Sequence, residues 1–346
     1  MSLSNKLKKS GFWQSLEVVT LVIVQFSYFA VMARLLDKSD FGLMAIANSI
    51  IAFGNIFAES GMGAALIQRK NLNQKHINAA LQGSLVIGFF LFIVVYISAP
   101  NIAEFFGLPE ITSIMKVVAA NFFLISLSSV SIGLLHKNFL FKESSIVTIL
   151  SISTAYGMGV FLAIKGYGVW SLVYASILYA FLKLIGYLKF APVKLSFKFH
   201  LKEWKELFSF GFGMVLLKIN NYAASNGLNL VLGKIMSIDV LGVFERTYQL
   251  KTMPSSYLGN IIDRILFPAM AEVQDEAERL FKIFTHSLGL VNSILMPVAF
   301  YLIFFAEEIV LVMMGSEWSE AVLPLMIMFV VLPFSSSGRM ADSVLR

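Results

Sequence analysis

The sequence predicts an all-α, polytopic membrane protein: two pseudosymmetric helix bundles around a central cleft, the second bundle truncated. Three observations predict it. Hydrophobic residues make up 58% of the 346 residues and charged residues only 14%, where water-soluble domains carry about 25%. Mean hydropathy is +0.78, and apolar runs of about 20 residues, each long enough to cross a hydrocarbon core as a helix, recur along the chain. The short alternating segments of a closed β-barrel are absent. Finally, one stretch near the start and one past the middle follow a single plan at an offset of about 200 residues.

The repeat is gapless across two successive helices. Gly11-Phe12 recurs as Gly211-Phe212, each opening an apolar run. Arg34-Leu35-Leu36 recurs as Lys234-Ile235-Met236, Phe41-Gly42-Leu43 as Leu241-Gly242-Val243, and Ala65-Leu66-Ile67 as Ile265-Leu266-Phe267. A repeat of this length in a membrane protein points to two bundles around a central pathway.

Taken in order, the spans fall at about 12–35, 41–67, 77–99, 112–135, 144–164, 167–190, 207–232, 240–268, 281–305 and 320–338. Ile309 to Met314 is apolar but too short to cross, so it is placed at the interface. Pro254 and Pro297 sit inside the eighth and ninth spans, where each removes a backbone hydrogen bond and kinks its helix.

Basic residues set the orientation. One set of loops holds Lys6, Lys8, Lys9, Arg69, Lys70, Lys75, Lys137, Lys142, Lys189, Lys194, Lys198, Lys202, Lys205, Arg279 and Lys282. The opposite loops hold only Arg34, Lys38, Lys116, Lys165 and Lys234. The first set is read as cytoplasmic, with the N-terminus inside. The net charge of +6 follows from this bias and suits anionic lipid headgroups. No basic water-soluble module exists to hold nucleic acid. The N-terminal apolar stretch is too long for a cleaved signal peptide. The chain has no cysteine, which excludes disulfides and thiolate metal sites. Its four histidines, His76, His136, His200 and His286, are scattered in or beside loops, so no metal site is expected.

Three regions follow: a six-helix bundle over 1–190, a cytoplasmic connector over 191–206, and a C-terminal bundle of about four helices over 207–346. In the connector Leu201, Trp204, Leu207 and Phe208 share one helical face, as in an amphipathic helix on the inner leaflet. Two-bundle symmetry calls for about two more spans, so the second bundle reads as incomplete.

Ionisable and polar groups inside the spans are the candidate functional residues. Lys218 falls near the middle of the seventh span, where a lysine costs about 2.5–3.5 kcal/mol on insertion scales. Lys218, Asn221, Ser225 and Asn229 share one helical stripe with Tyr222 beside it, the pattern of a hydrated pathway as well as of amide glue between helices. Glu17 lies one residue before the position matched to Lys218, and Gln14, Glu17 and Tyr28 share a face of the first span. An opposed Glu17–Lys218 pair across the cleft is one expectation; Glu17 reaching water alone is the other. The eighth span adds Glu245, Arg246 and Lys251, with Asp263-Arg264 at its inner boundary, and Glu59 reads as a helix-end group. Basic groups in a membrane cleft suit an anionic headgroup such as a pyrophosphate.

The chain resembles polysaccharide flippases of the Wzx type, in the superfamily that also holds multidrug and toxin exporters. The resemblance rests on Arg34-Leu35-Leu36 to Phe41-Gly42-Leu43 and Glu59-Ser60-Gly61-Met62-Gly63-Ala64-Ala65-Leu66-Ile67-Gln68-Arg69. In the second half it rests on Leu241-Gly242-Val243-Phe244, Tyr248-Gln249-Leu250, Pro254 and Arg264-Ile265-Leu266-Phe267-Pro268-Ala269. It implies transport of undecaprenyl-pyrophosphate-linked oligosaccharide across the bacterial inner membrane by alternating access, for O-antigen, lipopolysaccharide or exopolysaccharide assembly. It also implies twelve or more helices in a full-length member, no cofactor, coupling to a proton or sodium gradient, and contact with membrane lipids and polysaccharide assembly proteins. The family often has an acidic residue near the end of the seventh helix; this chain reads Asn226-Gly227-Leu228-Asn229 there, which weakens ion coupling at that helix.

Two other readings remain. A multidrug exporter of the same architecture favours acidic interior residues, against Lys218 and Lys251. A glycan polymerase or ligase needs a sizeable outer loop bearing oriented carboxylates. Here Glu307, Glu308, Glu317 and Glu320 form the one acidic outer cluster, with Trp318 as an interface anchor.

Overall fold

A computed structural model describes residues 3–60, 62–69, 72–193, 201–253, 276–335 and 337–338. Every described element is a helix: α1 Leu3–Leu35, α2 Lys38–Ser60, α3 Met62–Gln68, α4 Gln74–Phe106, α5 Glu110–Val118, α6 Ala120–Lys137, α7 Phe141–Ile164, α8 Val169–Phe190 and α9 Leu201–Ile235. Then follow α10 over 238–253, α11 Ala277–Phe304, α12 Ala306–Met313, a 3-10 turn at Ser316–Ala321 and α13 Val322–Val330. Seven helices among the described residues are long and apolar enough to cross a membrane, with α5 and α6 joined as one span.

The repeat is visible in the backbone. α1 ends at Leu35 and α2 begins at Lys38; α9 ends at Ile235 and α10 begins at 238. Each restart carries an N-cap at the matched position. The Asp37 amide donates to the Asp40 carboxylate at 3.2 Å, one half of a capping box, and Ser237 Oγ accepts from the Val240 amide at 3.4 Å. Asp40 does more: its other oxygen accepts from the Val169 amide at 2.8 Å, capping the start of α8 as well.

Several expected boundaries move. The span at 41–67 falls in two helices, α2 ending at Ser60 and α3 beginning at Met62. The span at 77–99 continues through Pro100 to Phe106 and stops instead at Gly107, whose φ of 71° suits the left-handed cap. The Leu108 amide then reaches back to the Ala103 carbonyl at 3.0 Å. The span at 112–135 breaks between α5 and α6 at Ala119. The short apolar stretch at 309–314, expected at the interface, falls in a separate short helix, Ala306–Met313. The tenth span, expected over 320–338, opens on the end of the 3-10 turn Ser316–Ala321, and its helix α13 stops at Val330, with a turn at residue 331. Pro297 lies inside the continuous α11; Pro254 and Asp263-Arg264 lie outside the described residues.

Packing divides the chain into two compact units, Met1–Leu241 and Gly242–Arg346. The expected division at 191–206 separates the sequence repeats, but α9 packs along α2, α3 and α4 and so belongs with the first unit. Nor do the residues after Leu201 form a separate surface helix, since they are the opening turns of α9 itself. Leu207 and Trp204 face protein, packed with Ala65, Leu66, Leu81, Val130 and Leu134.

Helix α6 is the hub of the first unit, touching α2, α3, α4, α5, α7 and α8. Its face is small and polar: Ser126, Ser128, Ser129, Ser131 and Gly133 are buried. Ser129 Oγ lies 3.3 Å from Ser84 Oγ of α4, and Ser131 donates to the Ala191 carbonyl at 3.0 Å. Small residues let helix backbones approach in a bilayer, where apolar burial provides no drive. α3 approaches α6 closely: a β-carbon at Gly63 would stand 2.5 Å from the Ser129 carbonyl oxygen, and one at Gly133 2.8 Å from that of Gly63.

At the end of the unit that carries the basic loops, Lys137 of α6 caps α3. Its ammonium donates to the carbonyls of Leu66 at 3.0 Å and Ile67 at 3.3 Å, and also to that of Arg69, the groups a helix C-terminus leaves unpaired. Arg69 in turn meets Glu206 of α9 at 2.6 Å, with side chains 32% and 37% exposed. His76 Nε2 stands 3.7 Å from the same carboxylate oxygen.

In the second unit α11 and α13 pack together, with α12 and the 3-10 turn against them. Trp318, expected as an interface anchor, is 2% exposed and belongs to the interior of this unit. Asn292 of α11 donates to Ser337 at 3.1 Å.

Gly133→Ala is expected to cost about 1–3 kcal/mol, the range for overpacking, and to lower the unfolding midpoint of the purified protein. Gly157→Ala, inside α7 where a β-carbon meets nothing within 4 Å, should hold or raise it, since alanine is the better helix former; equal midpoints for the two variants would contradict the close α3–α6 contact. Lys137→Met should cost more than Glu206→Gln: about 1.5–3 kcal/mol for a cation bonded to helix-end carbonyls against about 0–1 kcal/mol for a half-exposed ion pair. Chemical denaturation of the two variants in one detergent checks the order.

Candidate functional site

The polar groups expected inside the spans fall into three places. The first is the α1–α7 seam. Glu17, half-buried, accepts a 2.6 Å hydrogen bond from Ser145 Oγ of α7. Eleven residues further along α1, Tyr28 stacks on Tyr156 of α7, ring centroids 3.8 Å apart. One turn before Glu17, Trp13 lies under the Lys142 ammonium at 5.4 Å. Spacings of 4 and 11 keep Trp13, Glu17 and Tyr28 on one face, and α7 reads that face rung by rung. α1 packs on α7 and is no neighbour of α9 among the described residues, so Glu17 meets Ser145 and not Lys218.

Helix α9 against α2 is the second place. The Tyr222 hydroxyl donates to the Ser49 carbonyl of α2 at 3.0 Å, and its ring tilts against Phe53 at 5.2 Å. Asn229 is 7% exposed, and a β-carbon at Gly233 would touch Ile46 of α2 at 3.1 Å. Lys218, one turn before Tyr222, is half-buried. Asn221 and Ser225 lie on α9, but their side chains are outside the described residues. The α9 stripe thus has a face that packs on α2.

The third place is α10, in the second unit. Arg246 is 5% exposed and donates from Nη1 to Gln249 Oε1 at 2.8 Å. The Lys251 ammonium sits 5.9 Å from the Tyr248 ring centroid. Arg246 is therefore an interior side chain held by its own helix, and does not extend toward a headgroup layer as a long side chain near a span end does.

Polar side chains not expected from the sequence also meet between α6, α7 and α8. On α8 Tyr179, Lys183 and Tyr187 stand at i, i+4 and i+8, with the Lys183 ammonium 5.0 Å and 5.6 Å from the two ring centroids. His136 of α6 contacts Ser144 at 3.4 Å and lies within electrostatic reach of both Glu17 and Lys183. Thr148 of α7 is 3.1 Å from the Tyr187 hydroxyl. The signal for this cluster was a lysine about one helical turn past the middle of the apolar 167–190 run, with a tyrosine four residues on each side. Among the described residues no group of three or more histidine, aspartate or glutamate side chains could hold a metal ion.

Residues 31–323 match the family described as "Polysaccharide biosynthesis protein". The chain is similar to the succinoglycan biosynthesis transport protein ExoT of Rhizobium meliloti (strain 1021), 23% identical over 89% of this chain and 63% of that protein. It is also similar to the lipopolysaccharide biosynthesis protein WzxC of Escherichia coli (strain K12), 25% identical over 100% of this chain and 70% of that one. The chain spans roughly two thirds of the length of the curated relatives it matches. Among solved structures, the lipid II flippase MurJ in an inward closed conformation shares its fold, with a TM-score of 0.73 at 15% identity over 96% of this chain and 76% of that one. A family model that covers most of the chain, on an all-α membrane fold of this kind, settles the kinship: the chain belongs to the polysaccharide biosynthesis protein family.

Proposed function

We propose that the chain is a transporter that flips lipid-linked oligosaccharide units, carried on undecaprenyl pyrophosphate, from the inner to the outer leaflet of the cytoplasmic membrane. The observation that carries this reading is the set of ionisable side chains held half-buried inside apolar spans: Glu17 on α1, Lys183 on α8 and Lys218 on α9. Each costs free energy in hydrocarbon, and such residues mark substrate or ion paths. A pyrophosphate and a sugar chain cannot shed their water into lipid. Cations and hydroxyls along the helices replace that hydration while the prenyl tail stays among acyl chains. The similarity to a transport protein of succinoglycan biosynthesis and to a lipopolysaccharide biosynthesis protein supports the same class of cargo.

In this reading the basic loops are cytoplasmic, following the distribution of lysine and arginine. The chain acts as a transporter without covalent chemistry, and a proton or sodium gradient supplies direction. Polysaccharide assembly proteins are its partners at the membrane. A multidrug exporter fits less well, because two of the three embedded charges are cationic and would repel a cationic drug.

The test is transport. In cells depleted of their own flippase and supplied with matched glycan, the full chain is expected to bring lipid-linked oligosaccharide to the outer leaflet, read with an impermeant oxidant of the sugar. Lys218→Ala should slow this by about tenfold or more, the loss of one charge-assisted hydrogen bond of about 1.5–3 kcal/mol. Correctly inserted protein that leaves the glycan inside, and exports a fluorescent cation instead, would replace this reading with the exporter.

A further inference from the structure

One seam of the first unit is hollow. A cavity of about 620 Å³ lies between the ends of α4 and α9, with Ile50 of α2 also lining it. Its α4 wall is built from residues between Asn101 and Phe106, and its α9 wall from residues between Leu230 and Ile235. Protein interiors close at crystal-like density, so an unfilled apolar space means dispersion contacts that the seam does not make. The α2 side of α9 differs. There a β-carbon at Gly42 would run into the Ile238 carbonyl oxygen, and one at Gly233 would touch Ile46 at 3.1 Å. Leu241 is fully buried in the same core as Ile46. The end of α9 is therefore fixed on α2, and the α4 wall is the one free to move.

A flex point stands at the base of that wall. Every α4 residue that lines the cavity follows Pro100. Proline supplies no amide, so the Tyr96 carbonyl loses its partner within the helix and α4 bends easily there. Before the proline α4 is held: Val95 and Ala99 are buried, and the Lys116 ammonium of α5 stands 5.4 Å from the Tyr96 ring centroid. After it, Asn101, Glu104 and Phe105 are exposed, Ile102 and Phe106 are half-buried, and Ala103 alone of 101–106 is buried. Segments with few buried apolar contacts open most readily.

A lysine holds the segment closed. The amides of Gly107 and Leu108 return to the carbonyls of Ala103 and Glu104, which leaves the Phe105 carbonyl at the helix end. Lys234 of α9 donates to it, with its ammonium 4.8 Å from the Phe105 ring centroid. A cation there also suits the negative end of the α4 dipole.

We propose that residues 101–106 are a flap, hinged at Pro100 and latched by Lys234, that opens the α4–α9 cavity to the surrounding hydrocarbon during transport. The proposal rests on the transport reading and adds a moving part to it. The flap sits at the end opposite the basic loops, where the lipid-borne cargo leaves in that reading.

The chain has no cysteine, so a labelled pair carries no background. Spin labels at Glu104→Cys and Met236→Cys, both exposed positions, report the flap against α9. Pulsed dipolar spectroscopy of the full chain in lipid nanodiscs should give one narrow distance distribution. Lys234→Met should add a longer distance, and Lys234→Arg should keep the narrow one. Pro100→Ala combined with Lys234→Met should remove the longer population. A folded Lys234→Met protein with the wild-type distribution overturns the latch, and a longer population that survives Pro100→Ala overturns the hinge. Bridging the same two cysteines with a bifunctional maleimide should abolish delivery of lipid-linked oligosaccharide to the outer leaflet; unchanged delivery by bridged protein overturns the part of the flap in transport. Distances that respond as expected in a chain that flips nothing would overturn the transport reading and leave the flap standing.

Discussion

Close backbone approach around α6 is the constraint on which the first unit depends. In a bilayer, lipid tails are as apolar as leucine, so burying leucine between helices yields little; dispersion and short hydrogen bonds between closely spaced backbones yield the rest. The serines at 126, 128, 129 and 131 and the glycine pair 63 and 133 supply that closeness. Because α3 can sit on α6, its carbonyl end lies within reach of Lys137, and the Arg69 that follows α3 reaches Glu206 of α9. A single wide side chain on this face would disturb the seat of α9 as well as that of α3.

The polar groups of the spans serve two purposes in one architecture. Some close interfaces: Tyr222 bonds the Ser49 carbonyl and Asn229 is buried beside it. Others stay half-buried with charges that hydrocarbon penalises, namely Glu17, Lys183 and Lys218. A transporter needs both kinds. Rigid seams let helices move as bodies, and hydrated charges let a polar headgroup pass. The α1–α7 seam carries both, with stacked tyrosines at one level and the Glu17–Ser145 bond at another.

Much of the fold was legible because hydropathy and turn chemistry are local. The loop positions at 36–37 and 236–237, read as a repeat, are where both helix pairs break, and both breaks carry a side-chain cap. Helix ends set by tertiary contact were not legible. The third span was read as ending at 99, yet α4 continues through Pro100 until Gly107 offers a left-handed cap. Leu201, Trp204, Leu207 and Phe208 looked like a face for lipid, yet Trp204 and Leu207 cover a protein core; hydropathy does not tell a membrane surface from an apolar protein surface.

The sequence by itself determined the class, the approximate spans, the repeat and the family, since each rests on composition or on order along the chain. Which charges meet was decided only by the tertiary structure. Glu17 and Lys218 occupy nearly matched repeat positions, but α1 lies on α7 and α9 on α2, so Glu17 finds Ser145 of α7. Electrostatic pairing falls off over a few ångströms in three dimensions, and pseudosymmetry in sequence carries no information about which neighbouring helix fills that distance.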